Sequence, residues 1–380
     1  MKLHILIAML ILLPTSGESC AFAQGSWPLF ENYARHFVDL DGKVMDPDRN
    51  GMVTSEAQSY ALFFSLVAND PKRFHTILHW TEQNLAGGDL SQHLPAWSWG
   101  KRPDSSSGIL DENSASDADL LLAYTLVEAG LLWGNSAYSA RGKHLLSVIA
   151  RDEVANVPLI GMMLIPGRIG FGPPNDAWIL NPSYLSLPLL FGAGRADPAG
   201  PWTEMAVHLP LWFESTTPSG FAMDWVKCGA SGCSPARGPD DRSQPALGSY
   251  DAIRVYLWAG MMPRDMAGAT KLRSILSPMS SYVRLHGRPP LSVASNGTVV
   301  SSDAPIGFVA AVIPFMESSG DPADSAQLLR KVQSSVSSST GLLGNPPKYF
   351  DQNLALFGLG WKERRYWFRP DGSLGVQWKK

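Results

Sequence analysis

The sequence predicts an all-α protein that is built as a double ring of helical hairpins. Its apolar residues recur at helical spacing along most of the chain, with one or two buried faces in each segment. Nearly wholly apolar segments alternate with amphipathic ones, which is the pattern that an inner and an outer ring of helices require. Strand signals are sparse, and only Ser292–Ser301 and Arg365–Phe368 are expected to form short edge strands.

Loops rich in Gly, Pro, Ser and Asp divide the chain into a series of predicted helices. In chain order these are Trp27–Val38, Ser55–Ala68, Pro71–Leu85, Ser116–Trp133, Ser136–Glu153, Pro182–Ala193, Trp202–Glu214, Tyr250–Met262, Asp265–Leu285, Pro305–Met316, Ala323–Ser338 and Tyr349–Leu359. The segment 116–133 is apolar nearly all round, so it is expected in the inner ring. The segment 71–85 carries many polar side chains and is expected to face solvent.

The chain has 380 residues, of which 45% are hydrophobic and 17% charged, so it can bury a substantial core. No shift in composition divides it, and residues 24–380 are predicted to form a single domain. The net charge is −3 and no basic run occurs, which argues against nucleic acid or an anionic membrane surface as a partner. We expect a monomer. The 13 Trp suit a groove that stacks on the flat faces of sugar rings.

The first 23 residues have the pattern of a secretory signal peptide. Lys2 supplies the positive region, Ile5–Leu13 the apolar region, and Ala21-Phe22-Ala23 the cleavage site. The apolar stretch is too short for a comfortable membrane span, so no membrane insertion is expected after cleavage. A lipid anchor at Cys20 is the alternative, but the residues before it lack the apolar and small side chains of such a site. The pattern predicts export to the periplasm or the medium.

Cleavage at that site leaves two cysteines, Cys228 and Cys233, which flank a short Gly-Ala-Ser-Gly loop. A disulfide between them is predicted in an oxidising compartment, and two free thiols in a surface loop are the alternative. A metal site is not expected there, because the sequence has no second Cys pair.

Two other patterns suggest metal binding only superficially. Residues 46–51 are similar to the first half of a calcium loop, but Ala57 stands where that loop needs a bidentate carboxylate. His75 and His79 have the spacing of metal ligands, but no Glu lies between them, so an exposed helix face is expected. No metal and no cofactor are predicted.

Three carboxylic acids stand at the starts of predicted helices: Glu56, Asp117 and Asp251. Ser55 and Ser116 precede the first two, where a helix N-cap belongs, and Ser-Glu-Ala-Gln matches a capping box. Acids at the starts of helices far apart in sequence can meet only if those helices begin at the same end of the fold. Carboxylates gathered at one rim favour acid/base chemistry on a neutral polar substrate.

Each acid also has a purely structural interpretation. Glu56 could simply complement the helix dipole, which lowers a carboxyl pKa. A general acid at that position needs burial or a neighbouring carboxylate to raise the pKa again. Asp119 either closes the cap with Ser116 or contacts substrate. Asp251 is either one half of an ordinary i,i+3 ion pair with Arg254 or a base whose ionised form that arginine holds.

Three tryptophans, Trp97, Trp99 and Trp178, fall in segments that look like loops. Exposure is more frequent there than inside helices, so these side chains are candidates for stacking on a substrate. Packing between helices is the alternative.

Five segments together resemble glycoside hydrolase family 8, and within it the periplasmic endoglucanases encoded with bacterial cellulose synthase. They are Thr54-Ser55-Glu56-Ala57-Gln58-Ser59-Tyr60, Leu94-Pro95-Ala96-Trp97-Ser98-Trp99-Gly100, Asp111-Glu112-Asn113-Ser114-Ala115-Ser116-Asp117-Ala118-Asp119-Leu120, Leu180-Asn181-Pro182-Ser183-Tyr184 and Ser249-Tyr250-Asp251-Ala252-Ile253-Arg254. The resemblance extends from about Trp27 to Trp361, and Ala-Ser-Asp-Ala-Asp is its most specific motif.

The resemblance implies an (α/α)6 barrel and hydrolysis of β-1,4-glucan with inversion. It makes Glu56 the proton donor and Asp251 the base that activates water. Asp117 matches the motif acid, either as a clamp on the distorted sugar or as a nucleophile. Tyr184 and Arg254 match supporting positions around the water.

The chain departs from the family pattern at Leu122, at Ala57 and in the insertion that carries the two cysteines. None of these changes the acids, although the insertion puts substrate preference in doubt. The leading expectation is an endo-acting β-1,4-glucanase, with the cellulose synthase complex as a partner. The alternatives are a family 8 hydrolase of xylan or chitosan, a non-catalytic glucan-binding component of a cellulose export machine, and a polysaccharide lyase.

Overall fold

The computed structural model describes residues 26–173, 177–238 and 246–379. The predicted signal peptide, residues 1–23, lies outside these ranges, so the expected cleavage and localisation remain predictions. Within the described ranges the chain forms 13 α-helices and 13 short strands. No helix in this part of the protein combines the length and the apolar character needed to cross a membrane.

The helices are numbered in chain order. They are α1 Pro28–Phe37, α2 Ser55–Val67, α3 Pro71–Leu85, α4 Ser116–Trp133, α5 Ser136–Asp152, α6 Leu187–Ala196, α7 Trp202–Thr216, α8 Ala252–Met261, α9 Ala269–Ile275, α10 Ser277–His286, α11 Ile306–Ser318, α12 Pro322–Ser334 and α13 Tyr349–Lys362. Short 3-10 turns form at Pro47–Arg49 and Pro182–Tyr184.

Six helices form the inner ring: α2, α4, α6, α8, α11 and α13. α4 contacts both α2 and α6, and α11 contacts both α8 and α13. The 3-10 turn at 182–184 joins α8 to the other half of the ring, and Phe64 of α2 meets Phe357 of α13 with ring centroids 4.7 Å apart. These helices are buried nearly all round; in α4, for example, every residue from Ser116 to Gly130 is buried.

The remaining helices lie outside this ring, each against an inner partner. α3 packs on α2, α5 on α4, α7 on α6, α9 on α8, α12 on α11 and α1 on α13. α3 buries Phe74, Ile77 and Trp80 while it exposes His75 and His79, as the sequence predicted. The predicted (α/α)6 barrel is therefore confirmed, with α10 as an extra helix after α9.

Two of the predicted helices are interrupted by proline. The segment 182–193 is a 3-10 turn followed by α6, because Pro188 has no N–H to donate to the carbonyl of Tyr184. The segment 265–285 splits into α9 and α10, because Pro278 cannot donate to the carbonyl of Ser274.

The strands occupy the connections between helices. They are β1 Val53–Thr54, β2 Ser98–Lys101, β3 Ser107–Asp111, β4 Val154–Val157, β5 Gly161–Leu164, β6 Ala177–Leu180, β7 Trp225–Gly229, β8 Gly232–Ala236, β9 Leu247–Gly248, β10 Ser292–Ala294, β11 Val299–Ser301, β12 Tyr366–Phe368 and β13 Leu374–Val376. β10–β11 and β12 confirm the two predicted strand segments. The others are too short, at two to five residues, to give a readable alternation.

Antiparallel pairing groups the strands into small sheets at the entrances to the inner helices. β1, β2 and β3 form one sheet, β6, β7 and β8 a second, and β9, β10 and β11 a third. β1 runs directly into α2, β3 precedes α4, β6 precedes α6, and β9 precedes α8. The sheets therefore stand at the end of the barrel where the inner helices begin, which is the end that carries the predicted acids.

The hairpin of β12 and β13 packs against the inner helices. The hydroxyl of Tyr124 in α4 donates to the carbonyl of Gly372 at 2.9 Å, and Leu374 N–H donates to Glu128 of the same helix at 3.2 Å. The indole of Trp378 donates to the carbonyl of Leu66 in α2 at 3.2 Å. This C-terminal segment is thus an integral part of the barrel core.

Candidate active site

Glu56 lies in the first turn of α2, as predicted, but the helix is capped differently. Thr54 is the N-cap, and its hydroxyl accepts the N–H of Ala57 at 3.2 Å. Ser55 is already helical, and its hydroxyl is buried without a protein partner. The predicted capping box is therefore wrong. Its Gln58 instead holds the loop before the helix by accepting Val44 N–H at 2.7 Å.

The surroundings of Glu56 suit a proton donor. Its Oε1 accepts the indole N–H of Trp97 at 3.3 Å, while its Oε2 is buried without a protein donor. Burial, reinforced by the nearby charge of Asp117, raises the pKa of Glu56 to about 7, against the opposing charge of Arg254. The carboxyl thus keeps its proton close to neutral pH, as a general acid must.

Asp117 lies in the first turn of α4. The predicted N-cap, Ser116, is the first helical residue, and Ala115 takes the cap position without a side-chain bond. Asp117 is only 8% exposed, and its Oδ1 accepts the N–H of Ala118 at 2.8 Å. Burial raises the pKa of Asp117, while the charge of Arg254 opposes that shift. The carboxylate is therefore firmly oriented.

Arg254 of α8 joins two of the acids, Asp117 and Asp251, to one another. Its Nη1 donates to Asp117 Oδ2 at 2.6 Å and to the hydroxyl of Tyr60 at 3.0 Å. Its Nη2 donates to Asp251 Oδ1 at 2.6 Å. The i,i+3 ion pair expected from the sequence is present, and the same guanidinium also ties α8 to α2 and α4. A planar fork of this kind fixes carboxylates more rigidly than a lysine ammonium can.

Asp251 occupies the N-cap position of α8 but does not cap the helix itself. Asp224, in the loop before β7, does so instead. Its Oδ1 accepts the N–H groups of Ser249, Asp251 and Ala252 at 2.8, 3.1 and 2.7 Å. The carboxylate of Asp251 is thereby left for Arg254, and its side chain is 29% exposed towards the cleft.

Sequence reasoning missed Asp224. It lies 27 residues before Asp251 and follows no helix-start pattern, so no local signal marks it. Burial, with the neighbouring charge of Asp251, raises the pKa of Asp224 to about 7. Only the folded chain shows that this side chain holds the start of α8.

Tyr184 lies in the 3-10 turn before α6, and the guanidinium of Arg254 is 5.5 Å from the centre of its ring. Burial raises the pKa of Tyr184 well above its usual value, with the nearby charges of Asp117 and Asp251 acting in the same direction. The phenol therefore keeps its proton and is able to donate a hydrogen bond beside the two carboxylates.

A cavity of about 260 Å³ opens between Glu56, Asp251 and the helix α13. Its lining includes Glu56, Tyr60, Asp251 and Arg254, together with further side chains that sequence reasoning missed. These are Asp46, Arg49, Met52, Tyr349, Phe350 and Asn353. The last three stand in the first two turns of α13, so the reasoning applied to the acids, that inner helices begin at one rim, would have found this part of the lining.

Of the three candidate tryptophans, only Trp97 contacts a catalytic candidate, through its bond to Glu56. Trp99 lies in β2 rather than in a loop and packs edge-on against Trp80, with ring centroids 5.4 Å apart. Trp178 lies in β6 and covers Gly172, where an added Cβ would come within 2.2 Å of its ring. The loop interpretation was wrong for these two, and both make packing contacts. Stacking on substrate remains a prediction.

Asp119 is fully buried, at 0% exposure, so the structure does not place it on the substrate-facing surface. It does not cap the helix with Ser116 either, because the Ser116 hydroxyl is buried without a partner. Its neighbour is Glu153, the residue that follows α5. Both interpretations drawn from the sequence are therefore replaced by a contact with a distant acid.

Cys228 and Cys233 are joined by a disulfide across the β7–β8 hairpin, where they face each other in register. The hairpin pairs with β6, which leads towards Tyr184. In residues 26–173, 177–238 and 246–379, no cluster of three or more His, Cys, Asp or Glu side chains is arranged to hold a metal ion.

A partly buried acid whose pKa is raised to about 7, placed in one cavity with a second carboxyl from another inner helix, is the arrangement expected of a glycoside hydrolase. The family model of glycosyl hydrolases family 8 matches residues 5–364 of this chain. The chain therefore belongs to glycosyl hydrolase family 8.

Relatives across the full length support this assignment. The chain is 39% identical over 373 residues to a protein named Endoglucanase from Xanthomonas axonopodis pv. citri (strain 306), covering 97% of this chain and 94% of that protein. It is 37% identical over 380 residues to an Endoglucanase from Escherichia coli O157:H7, covering 98% and 96%. The crystal structure of endo-1,4-D-glucanase from Vibrio fischeri ES114 is similar with a TM-score of 0.86 and 38% identity, covering 93% of this chain and 100% of that chain.

Proposed function

We propose that this protein is an endo-acting β-1,4-glucanase that hydrolyses cellulose and related β-glucans with inversion at the anomeric carbon. The environment of Glu56 carries the proposal: a partly buried carboxyl with a raised pKa, bonded to Trp97 and lining the cavity. The family and the relatives named Endoglucanase support a glucan as the substrate.

Glu56 donates its proton to the glycosidic oxygen as the bond to the leaving sugar breaks. Asp251 accepts a proton from the attacking water, while Arg254 and Tyr184 hold the carboxylate and the water in position. Asp117, bonded to Arg254 on one side and to its own helix on the other, acts as a clamp on the hydroxyls of the distorted sugar. Its fixed position suits binding rather than attack on carbon.

Inversion requires space for a water between the base and the anomeric carbon. Carboxyl separations of roughly 6.5–9.5 Å are typical of inverting enzymes, against about 5–5.5 Å for retaining ones. Glu56 and Asp251 come from different inner helices, α2 and α8, and line the same cavity. This placement supports the wider gap.

The activity is tested with the mature protein on carboxymethylcellulose, by following viscosity and reducing ends together. An endo-acting enzyme lowers the viscosity early, while few reducing ends have formed. Xylan and chitosan are assayed in parallel, because faster release from either would replace glucan as the substrate. Binding of glucan without any release by the wild-type protein would indicate a non-catalytic component instead.

Stereochemistry is tested by NMR of the first product before mutarotation. We expect an α-anomer from a β-glucan. A β-anomer as the first product would mean a covalent intermediate and would give Asp117 the role of nucleophile.

We also propose that the chain is exported by residues 1–23 and acts in the periplasm or the medium, in support of bacterial cellulose synthesis and secretion. The signal-like N-terminus and the disulfide between Cys228 and Cys233 support an oxidising compartment. Cell fractionation with N-terminal sequencing tests the export. Loss of secreted cellulose after deletion of the gene tests the link to a cellulose synthase complex.

A further inference from the structure

Two acids outside the proposed reaction face each other behind the cleft. Asp119 lies in α4, two residues after Asp117, and Glu153 follows the end of α5. Both are fully buried, at 0% exposure. The two carboxyl groups lie within hydrogen-bonding reach of each other, and the hydroxyl of Ser114 is near Glu153.

Two ionised carboxylates cannot form a hydrogen bond, because both are acceptors only. In the described part of the chain, none of the four carboxyl oxygens of Asp119 and Glu153 receives a hydrogen bond from an N–H group. A buried contact between two such groups is stable only if a proton lies between them. The burial of both groups and their lack of N–H donors therefore favour one neutral acid in the pair.

The strongest charges around the pair are also carboxylates. Asp117 and Glu56 act on Asp119 from the cleft side, and Asp117 and Asp152 act on Glu153. Burial, together with these charges, raises the pKa of Glu153 to about 8 and that of Asp119 well above its usual value. The neighbouring Ser114 hydroxyl and the contact with Asp119 lower the pKa of Glu153, but burial outweighs them.

Glu153 is a rigid support for this contact. Its own N–H donates to the carbonyl of Ile149 at 2.8 Å, and its carbonyl accepts the N–H of Ile165 at 2.8 Å. The first turn of α4, by contrast, has no side-chain cap. The contact to Glu153 thus holds the turn that carries Asp117 at a point where a cap is missing.

We propose that Asp119 and Glu153 share a single proton, and that this acid pair positions the first turn of α4 so that Asp117 can bind the substrate. Both are positioning residues, because neither touches the cleft. Loss of the shared proton places two buried carboxylates against each other and displaces the turn. The proposal rests on the role given above to Asp117, but the presence of the proton is testable without any activity.

The proton is tested first by infrared spectroscopy, as the difference between wild type and Glu153→Gln near pH 7. The amide of Gln donates to Asp119 as the acid did, so the fold is expected to persist. Other carboxyl groups with raised pKa values contribute equally to both spectra, so their bands cancel in the difference. We expect a protonated-carboxyl C=O band that is present only in the wild type. Its absence would falsify the shared proton. Asp119→Asn gives the same test from the other side if the Gln variant does not fold.

Thermal unfolding gives an independent measurement. The folded protein holds a proton that the unfolded chain releases at about pH 4.3, so this contribution to stability is complete below that pH. It decreases as the pH rises and is lost once the pH passes the folded pKa of about 8. The melting temperature of wild type should therefore fall relative to that of Glu153→Gln between pH 5 and pH 8. A difference in melting temperature between the two proteins that does not change with pH overturns the proposal.

Glu214→Gln is the matched control, because it makes the same substitution in an exposed acid of α7 that pairs with Lys271 at 2.6 Å. Its melting temperature should run parallel to that of wild type over the same pH range. A relative shift as large as that of Glu153→Gln would assign the effect to general charge rather than to the pair.

The positioning role is tested by binding of cellohexaose to the inactive Glu56→Gln protein, in which the catalytic acid no longer titrates. Binding should weaken at least severalfold as the pH passes about 8, and the double variant with Glu153→Gln should not show this loss. Equal weakening in both overturns the positioning role. No binding by either at any pH would count against the proposed function, while the infrared and melting results would still decide the shared proton.

Discussion

The starts of α2 and α8 hold two carboxylic acids at nearly the same place in a helix, yet the two have different partners: Glu56 is bonded to the indole of Trp97 and Asp251 to the guanidinium of Arg254. Glu56 follows the N-cap Thr54, is partly buried with its Oε2 fully buried, and has a pKa raised to about 7. Asp251 stands at the cap position, is 29% exposed, and is bonded to Arg254 at 2.6 Å. A helix dipole alone would favour the ionised form of both. The raised pKa of Glu56 shows that desolvation and neighbouring charges outweigh the helix start there, and the proposed roles of acid and base rest on this difference in partners.

The largest effect is expected from a change of Glu56, the proposed acid. Glu56→Gln removes the proton donor but keeps the shape and the bond to Trp97, so cleavage of carboxymethylcellulose should fall by about 10²–10⁴-fold or more. The assay is release of reducing ends, with binding of cello-oligosaccharide as the check that the cleft is intact. Residual activity above roughly a tenth of wild type would remove Glu56 from this role.

The second largest effect is expected at Arg254, which connects α8 to α2 and α4. Arg254→Lys keeps the positive charge, but one ammonium cannot reproduce the fork that holds Asp117, Asp251 and Tyr60 together. Misplacement of the base by about 1 Å can cost on the order of 10²-fold, so kcat should fall strongly while KM changes less. The matched control is Arg284→Lys, whose arginine pairs with Asp321 in an exposed ion pair. A normal kcat for Arg254→Lys would show that charge alone is needed.

The position of Asp251, the proposed base, can be disturbed without changing Asp251 itself. Asp224→Ala removes the acceptor of three N–H groups at the start of α8, which should cost about 0.5–2 kcal/mol of stability, as for loss of other N-caps. Asp224→Asn keeps an acceptor oxygen and should lose less. Melting temperature and kcat are measured for both. If the two variants behave alike, the cap is not what holds Asp251.

The smallest expected effect is a shift in pH dependence. Because Glu56 must be protonated to act, kcat/KM should fall as the pH rises through about 7. The hydrogen bond from Trp97 lowers the pKa of Glu56, so Trp97→Phe should move the alkaline limb to higher pH. The profile of kcat/KM from pH 5 to 9 measures this, with Trp99→Phe as the control. A shift to lower pH would contradict the described contact.

The helical architecture was readable from the sequence because long apolar segments impose a clear period. Ser116–Trp133 was expected in the inner ring and is buried there as α4. The helix boundaries were harder to predict than the helices themselves, because Pro188 and Pro278 interrupt segments whose apolar spacing continues across them. The caps failed for a different reason: Ser55 and Ser116 have the right side chains, but each lies one residue inside its helix.

The acids of the site were found because one rule, that they begin inner helices, applies to each of them separately. Asp224 and Glu153 were not identified from the sequence, because the role of each depends on a partner far away in the chain. Asp224 reaches α8 across 27 residues, and Glu153 reaches Asp119 from the end of another helix. Such pairings depend on the closed ring and leave no local pattern.

Closure of the ring also has a consequence for how the chain folds as it is made. α1 packs on α13, and Tyr33 of the first helix meets Tyr349 of the last with ring centroids 6.3 Å apart. The apolar face of α1 therefore stays uncovered until α13, more than 300 residues later in the chain, has been synthesised. At typical rates of synthesis this delay is on the order of half a minute. During that time the growing chain exposes surface that only the completed barrel covers, so we expect folding to depend on chaperones or on transport of the chain in an unfolded state.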